Sequence, residues 1–125
     1  MSFRGRPVVS GDVEGFVLRV ESISFYGDVD PESGRLYDGR SVSGRVIVAE
    51  KSRGSTVGPY VLYALRERGL APKAILLVSR SDPVLVAGAV LSSVVLVDSL
   101  PRGALEVLRD NVLVRVYRDG GVVIV

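Results

Sequence analysis

The stretch that decides the fold is residues 45–59, which read RVIVAEKSRGSTVGP. The run Arg45–Ala49 is typical of a buried strand, and a polar segment then leads to two hydroxyl residues placed between glycines. A helix is predicted next, because Pro59 suits a first helical turn and Gly69 stands where a left-handed C-terminal cap is expected. The first N–H groups of a helix have no intrahelical partner, so this loop would stabilise an anion or a serine oxygen that gains negative charge.

Ser55, one of those hydroxyl residues, also has a simpler structural explanation. A serine before a helix is most often an N-cap, whose oxygen accepts a hydrogen bond from an N–H two or three residues further on. The loop lacks the Gly-Lys-Ser/Thr ending of a Walker A loop and the third glycine of a dinucleotide-binding fingerprint. The local pattern therefore leaves a structural cap and a functional loop both open, and the cap is the more frequent of the two.

The composition excludes several functions. The 125 residues include no Cys and no His, so the chain alone cannot hold a common zinc site, bind an iron–sulfur cluster through thiolates or use a Ser–His relay. The formal net charge is only +2 and the basic residues are scattered, which argues against nucleic-acid binding. The longest apolar region, residues 84–97, is shorter than a bilayer span of about 20 residues, and the N-terminus has no signal core. We expect one cytoplasmic domain, residues 1–125, with no membrane segment.

The rest of the chain predicts an α/β domain with parallel central strands. An apolar run after the first helix makes a right-handed βαβ unit the expected arrangement. Ligands on such sheets bind at the carboxyl ends of the strands, where residues 54–58 would lie. The further predicted strands begin near Val13 and cover Ala74–Val78 and Val94–Val97, and a hairpin joins Val112–Tyr117 to Val122–Val125. A helix capped by residues 79–83 is predicted over Val84–Ser92, and a short helix or turn over Pro101–Arg109.

The segment Glu21–Gly44 has no sustained period and is predicted to be a long loop. Its aromatic and apolar residues predict that it packs against the rest of the domain. It also contains several acidic residues, namely Asp28, Asp30, Glu32 and Asp38. The spacing of an EF-hand calcium loop with its closing glutamate is absent, and turns explain the same residues, so no metal ligand is predicted.

Three motifs resemble, in their order and spacing, the small subunit of the aconitase X family: SFYGDVDPESG at residues 24–34, RGST at 53–56 and GLAPKAI at 69–75. The similarity extends from about Gly11 to Asp98. It implies a swivelling β/β/α domain like the mobile domain of aconitase, present here as a separate chain. It also implies a partner large subunit that carries an iron–sulfur cluster and forms a heterodimer or larger assembly, which fits the lack of cysteine in this chain.

The resemblance further implies a reaction and its residues. The expected reaction is dehydration of a phosphorylated small molecule, 5-phosphomevalonate, to trans-anhydromevalonate 5-phosphate in an archaeal route to isoprenoids; cis-3-hydroxyproline is an alternative substrate within the family. The family's serine base maps onto Ser55, and Arg53, Gly54 and Thr56 are its expected substrate-binding neighbours. The helix N-terminus and Arg53 together would stabilise a serine alkoxide.

Ser24, Phe25 and Gly27 are expected either at the subunit interface or at the mouth of the active site, and the interface is favoured because aromatic residues in long loops usually pack. One departure from the family is that Val57 and Pro59 stand where further small hydroxyl residues are frequent, which removes possible hydrogen bonds to substrate phosphate. A hypothesis from a different class is a non-catalytic scaffold or binding module in which the glycine loop, residues 54–58, only caps a helix.

Overall fold

The structure is a computed structural model that describes residues 1–125. Its helices are α1 (Phe25–Asp28), α2 (Gly58–Glu67), α3 (Pro83–Ser92) and α4 (Ala104–Val107). Its strands are β1 (Ser2–Arg4), β2 (Arg6–Val9), β3 (Val13–Arg19), β4 (Ser22–Ile23), β5 (Val46–Ala49), β6 (Lys51–Ser52), β7 (Ala74–Leu77), β8 (Val95–Asp98), β9 (Leu113–Val116) and β10 (Gly121–Ile124).

Strands β3, β5, β7 and β8 form the parallel centre of an eight-stranded sheet with the order β1-β10-β9-β3-β5-β7-β8-β2. The chain crosses from β5 to β7 through α2 and from β7 to β8 through α3. In register, Ile47 lies beside Ile75, which lies beside Leu96. The predicted α/β fold is confirmed. Because the carboxyl ends of parallel strands share one edge, the loops that follow β5 and β7 come together there.

The two ends of this sheet are joined by a single residue. Strand β1 pairs with β10 and strand β2 pairs with β8, yet only Gly5 separates β1 from β2 in the chain. The sheet is therefore rolled up, and the N–H of Gly5 donates to the carbonyl oxygen of Gly120 at 2.9 Å where it closes. The sequence predicts no strand before Val13, so β1 and β2 are elements that local pattern does not reveal.

Alternation along the central strands builds two apolar cores. Ile47 and Ile75 belong to a cluster on the side of α2 and α3, whereas Val46 and Leu76 belong to a second cluster on the other face of the sheet. All four side chains are fully buried. Because both faces of these strands are covered, their sequences read as continuous apolar runs rather than as an alternation of apolar and polar residues.

The segment Glu21–Gly44 contains more structure than the sequence predicts. Strand β4 pairs in parallel with β6, and the short helix α1 follows it, so the prediction of a loop is wrong over residues 22–28. The prediction that the segment packs against the domain is confirmed, since Ile23, Phe25 and Val29 are buried in the core beside the helices.

The C-terminal part matches the prediction. Strands β9 and β10 form the predicted antiparallel hairpin, with Val116 opposite Val122. Helix α4 agrees with the short helix or turn predicted over Pro101–Arg109. It ends before Leu108, which leaves the helical region of backbone conformation and whose side chain is fully buried. No helix combines the length and the apolar character that crossing a membrane would require.

Candidate active-site cleft

A cleft of about 310 Å³, counted with its solvent-open part, lies where β5 and β7 end. The glycine loop, the start of α2, the β4–α1 segment and the start of α3 enclose it. Helices α2 and α3 approach each other closely in the wall of the cleft, since a Cβ atom at Gly88 would lie 3.1 Å from the Cα of Pro59. The polar residues of its walls are Ser24, Ser52, Arg53, Ser55 and Asp82.

Ser55 lies half-buried in the wall of the cleft, but it is not the N-cap of α2. The N-cap position is Val57, which makes no side-chain capping bond. The Oγ of Ser55 instead accepts a hydrogen bond from the N–H of Val57 at 3.3 Å, closing a local turn. The backbone N–H groups of Gly54, Ser55 and Thr56 have no hydrogen-bond partner within the chain. The loop therefore presents consecutive free donors beside a serine hydroxyl, an arrangement suited to an anion.

Arg53 borders the cleft but is held on its outer side. Its guanidinium forms an ion pair with Asp28 and donates from Nε to the Oγ of Ser22 at 2.9 Å. Asp28 also accepts the backbone N–H of Ser24 at 2.9 Å, and the N–H of Arg53 donates to the carbonyl oxygen of Ile23 at 2.8 Å. These bonds tie the glycine loop to the β4–α1 segment. The role of the guanidinium as a cation for a serine alkoxide stays a prediction.

Of the other predicted site residues, some lie in the walls of the cleft and others lie outside them. Ser24 and Phe25 are buried and line the cleft, and the Oγ of Ser24 makes no hydrogen bond within the chain. Gly54 lines the cleft as well. Gly27 and Thr56 are exposed and lie outside its walls; Gly27 borders a neighbouring groove. The cleft thus gathers two of the three residues expected at the interface or the mouth, and the choice between these two locations stays a prediction.

Asp82 and Ser52 are cleft residues that the sequence does not single out. Asp82 caps α3, as its segment predicts, by accepting the N–H of Leu85 at 2.9 Å. Its other carboxylate oxygen accepts the hydroxyl of Ser52 at 2.8 Å. A Cβ atom at Gly54 would lie 3.5 Å from the carboxylate carbon of Asp82. The sequence signal that could have predicted the meeting of Asp82 and Ser52 is the order of the strands, because loops after neighbouring parallel strands meet at one edge of the sheet.

Asp98, at the end of β8, lies fully buried behind this edge of the sheet. It accepts two hydrogen bonds from the guanidinium of Arg6 at 2.9 and 2.6 Å, and the N–H and the hydroxyl of Ser81 at 2.7 Å each. The hydroxyl of Ser99 donates to it at 3.0 Å. Burial alone would raise the pKa of Asp98, but the bonds from Arg6, Ser81 and Ser99 outweigh burial and hold that pKa well below 3.8.

Replacing Asp98 by asparagine is expected to lower the free energy of unfolding by roughly 2–4 kcal/mol at pH 7, because a buried, fully bonded carboxylate is lost. The pKa of Asp98 is lower in the folded than in the unfolded chain, so its stabilisation is complete above the unfolded value and is lost as the pH falls towards the folded value. Urea unfolding at pH 7 and below pH 4 should show the two proteins converging in acid.

The matched control for this substitution is Glu50→Gln, which removes an ion pair with Arg102 that is largely exposed to solvent. Exposed pairs contribute about 0–1 kcal/mol, so the control should lose much less stability at pH 7. An Asp98→Asn protein that differs from wild type by the same amount at both pH values would contradict the stabilising role of the carboxylate.

The rolled sheet, the two crossover helices and the serine-bearing cleft define a swivelling β/β/α domain. The chain belongs to the aconitase X family: the family model described as "Aconitase X swivel domain" matches residues 2–125. The phosphomevalonate dehydratase small subunit of Aeropyrum pernix is 48% identical to this chain over 120 residues, covering 96% of this chain and 90% of the relative. The protein of the same name from Thermococcus kodakarensis is 38% identical over 128 residues, covering 97% and 93%.

Solved structures show the same fold. The crystal structure of Thermococcus kodakaraensis aconitase X in its holo-form superposes with a TM-score of 0.89 at 35% sequence identity, covering 100% of this chain and 98% of that chain. The solution NMR structure of a UPF0107 protein superposes with a TM-score of 0.91 at 34% identity, covering 100% and 99%.

Proposed function

We propose that this chain is the small subunit of a phosphomevalonate dehydratase, which removes water from 5-phosphomevalonate to give trans-anhydromevalonate 5-phosphate. The observation that carries the proposal is the likeness, along nearly the whole chain, to relatives named phosphomevalonate dehydratase small subunit. The cleft supports the proposal, because a serine that could accept a proton lies beside free backbone N–H donors that could bind an anionic group.

Ser55 is assigned the role of general base. The proton to be removed lies on the carbon next to the substrate carboxylate, and it passes to the Oγ of Ser55. The electron pair of that C–H bond forms the new double bond as the hydroxyl leaves the neighbouring carbon with its bonding electrons as hydroxide. Ser55 then gives up the proton, which restores the alkoxide and completes the water removed from the substrate. A serine oxygen needs its alkoxide stabilised to act in this way, and the N–H of Val57 already donates to it.

The anionic groups of the substrate are assigned to the same loop. The unpartnered N–H groups of Gly54 and Thr56 suit a carboxylate or phosphate oxygen, since successive backbone donors form anion-binding concavities. Arg53 adds positive charge at the rim, where it is half-exposed. Its exchange of Asp28 for the substrate would remove one of the bonds that tie the β4–α1 segment to the glycine loop.

The partner is assigned as a large subunit, and the implied iron–sulfur cluster is assigned to that partner. This chain has no Cys or His, and no group of three or more His, Cys, Asp or Glu side chains is placed to hold a metal ion. Its own residues therefore do not fit the cluster. The cleft is open to solvent on one side, so the chain alone is expected to be inactive.

The test is anaerobic reconstitution of the wild-type chain with its cognate large subunit, assayed by ¹H NMR with 5-phosphomevalonate and, in a separate reaction, with cis-3-hydroxyproline. We expect conversion only when both chains are present, and none with cis-3-hydroxyproline. Conversion of cis-3-hydroxyproline alone would change the substrate assignment within the family. A chain that binds the large subunit without any effect on turnover would support a scaffold instead.

A further inference from the structure

Hydrogen bonds on either side of the Ser81–Asp82 peptide link connect the buried Asp98 to the wall of the cleft. Asp98 itself cannot reach a substrate, since it is fully buried. One of its oxygens is bonded to Ser81 twice, through the backbone N–H and through the hydroxyl, at 2.7 Å each. Ser81 belongs to the loop between β7 and α3. The carboxylate therefore holds this loop, and not only the guanidinium of Arg6.

The loop held in this way carries Asp82 into the cleft. Asp82 directly follows Ser81 and accepts the hydroxyl of Ser52 at 2.8 Å. Its carboxylate also lies beneath Gly54, at 3.5 Å from the point where a Cβ atom would stand. Ser52 and Gly54 flank Arg53 in the segment that leads to Ser55. The position of this segment thus depends on the position of Asp82.

We propose that Asp98 is a positioning residue of the active site: by bonding Ser81 it fixes Asp82, and Asp82 in turn fixes Ser52 and the glycine loop that bears Ser55. The inference rests on the proposed function of Ser55 as the base. Proton transfer depends strongly on geometry, and a displacement of about 1 Å can reduce a rate by about 100-fold. A rigid set of bonds behind the loop holds the serine oxygen at one place.

Two serines offer a matched pair of variants. Ser81 and Ser99 each donate one hydroxyl hydrogen bond to Asp98, at 2.7 and 3.0 Å, but only Ser81 lies next to a cleft residue. Ser81→Ala and Ser99→Ala should therefore lower the thermal midpoint by similar amounts and leave large-subunit binding unchanged. In the reconstituted dehydratase, Ser81→Ala is expected to lower kcat at least about tenfold with KM nearly unchanged. Ser99→Ala should stay within about twofold of wild type, as expected for a bond that does not bear on the reacting geometry.

A second measurement does not require activity. In ¹H–¹⁵N spectra of the full chain, Ser81→Ala should shift the backbone amide signals of Gly54 and Ser55, and Ser99→Ala should leave them in place. Equal kcat values for the two variants, in a reconstitution where wild type is active, would overturn the inference while the proposed function stands. If wild type is inactive with its partner, the proposed function fails, and the amide signals alone decide: unmoved signals in Ser81→Ala overturn the positioning role.

Discussion

Replacing Ser55 by alanine is expected to lower kcat of the reconstituted dehydratase by about 100-fold or more, the scale of a lost general base. The substitution removes the oxygen that would accept the proton, together with one turn hydrogen bond from the N–H of Val57 at 3.3 Å. Binding of the large subunit should be unchanged, because Ser55 is half-buried in the cleft wall. Steady-state kinetics and a titration of the two chains measure the two quantities separately.

The control for this substitution is Ser41→Ala. The Oγ of Ser41 accepts the N–H of Ser43 at 3.1 Å, which is the same kind of turn bond, and Ser41 does not line the cleft. The control therefore measures the cost of losing such a turn bond without losing a base, and its kcat should stay near the wild-type value. If Ser55→Ala and Ser41→Ala have similar kcat values, Ser55 only closes a turn and the base lies elsewhere.

The glycine loop and its helix could be predicted because their signals are local. Pro59 stands in the first turn of α2, and Gly69 follows the helix with a φ of +72°, as the predicted left-handed cap requires. The central strands were equally predictable, since burial on both faces leaves continuous apolar runs. Each of these features depends on residues that are close together in the chain.

The rolling of the sheet could not be predicted from such signals. It depends on antiparallel pairs between opposite ends of the chain, for example Ser2 opposite Val123. Strands β1 and β2 have only three and four residues, and a window this short carries no reliable alternation. Pro7 inside β2 weakens the strand signal further.

The contacts of Asp82 in the cleft could not be predicted from the sequence for a related reason. Asp82 is readable as a helix cap from its place before Pro83, and the structure confirms that it caps α3. Its contact with Ser52 and its place under Gly54 depend on how α3 packs against α2. That packing relies on Gly88, because its missing side chain leaves room for the neighbouring helix. No local sequence pattern predicts this contact between the two helices.

Replacing Gly120 by alanine is expected to lower the free energy of unfolding by at least about 3 kcal/mol, through backbone strain and overpacking together. Gly120 has a φ of +87°, a region that disfavours any residue with a Cβ atom. The added Cβ would also stand 2.2 Å from the carbonyl oxygen of Gly5, in the backbone junction where the rolled sheet closes. The oxygen belongs to a residue held between β1 and β2, so it cannot move aside without opening the closure.

Gly39→Ala separates the two causes, because Gly39 has nearly the same φ, +89°, and nothing within 4 Å of an added Cβ. It should lose only about 1–2 kcal/mol, the cost of a left-handed alanine. Urea unfolding of both variants gives the difference, which measures the close approach of Gly120 to Gly5 alone. Equal losses would mean that the junction yields easily and that closure of the sheet tolerates a shift of its backbone. A loss in Gly120→Ala that is larger than the loss in Gly39→Ala by about 1 kcal/mol or more would show that the missing side chain of Gly120 is a condition for joining the ends of this sheet.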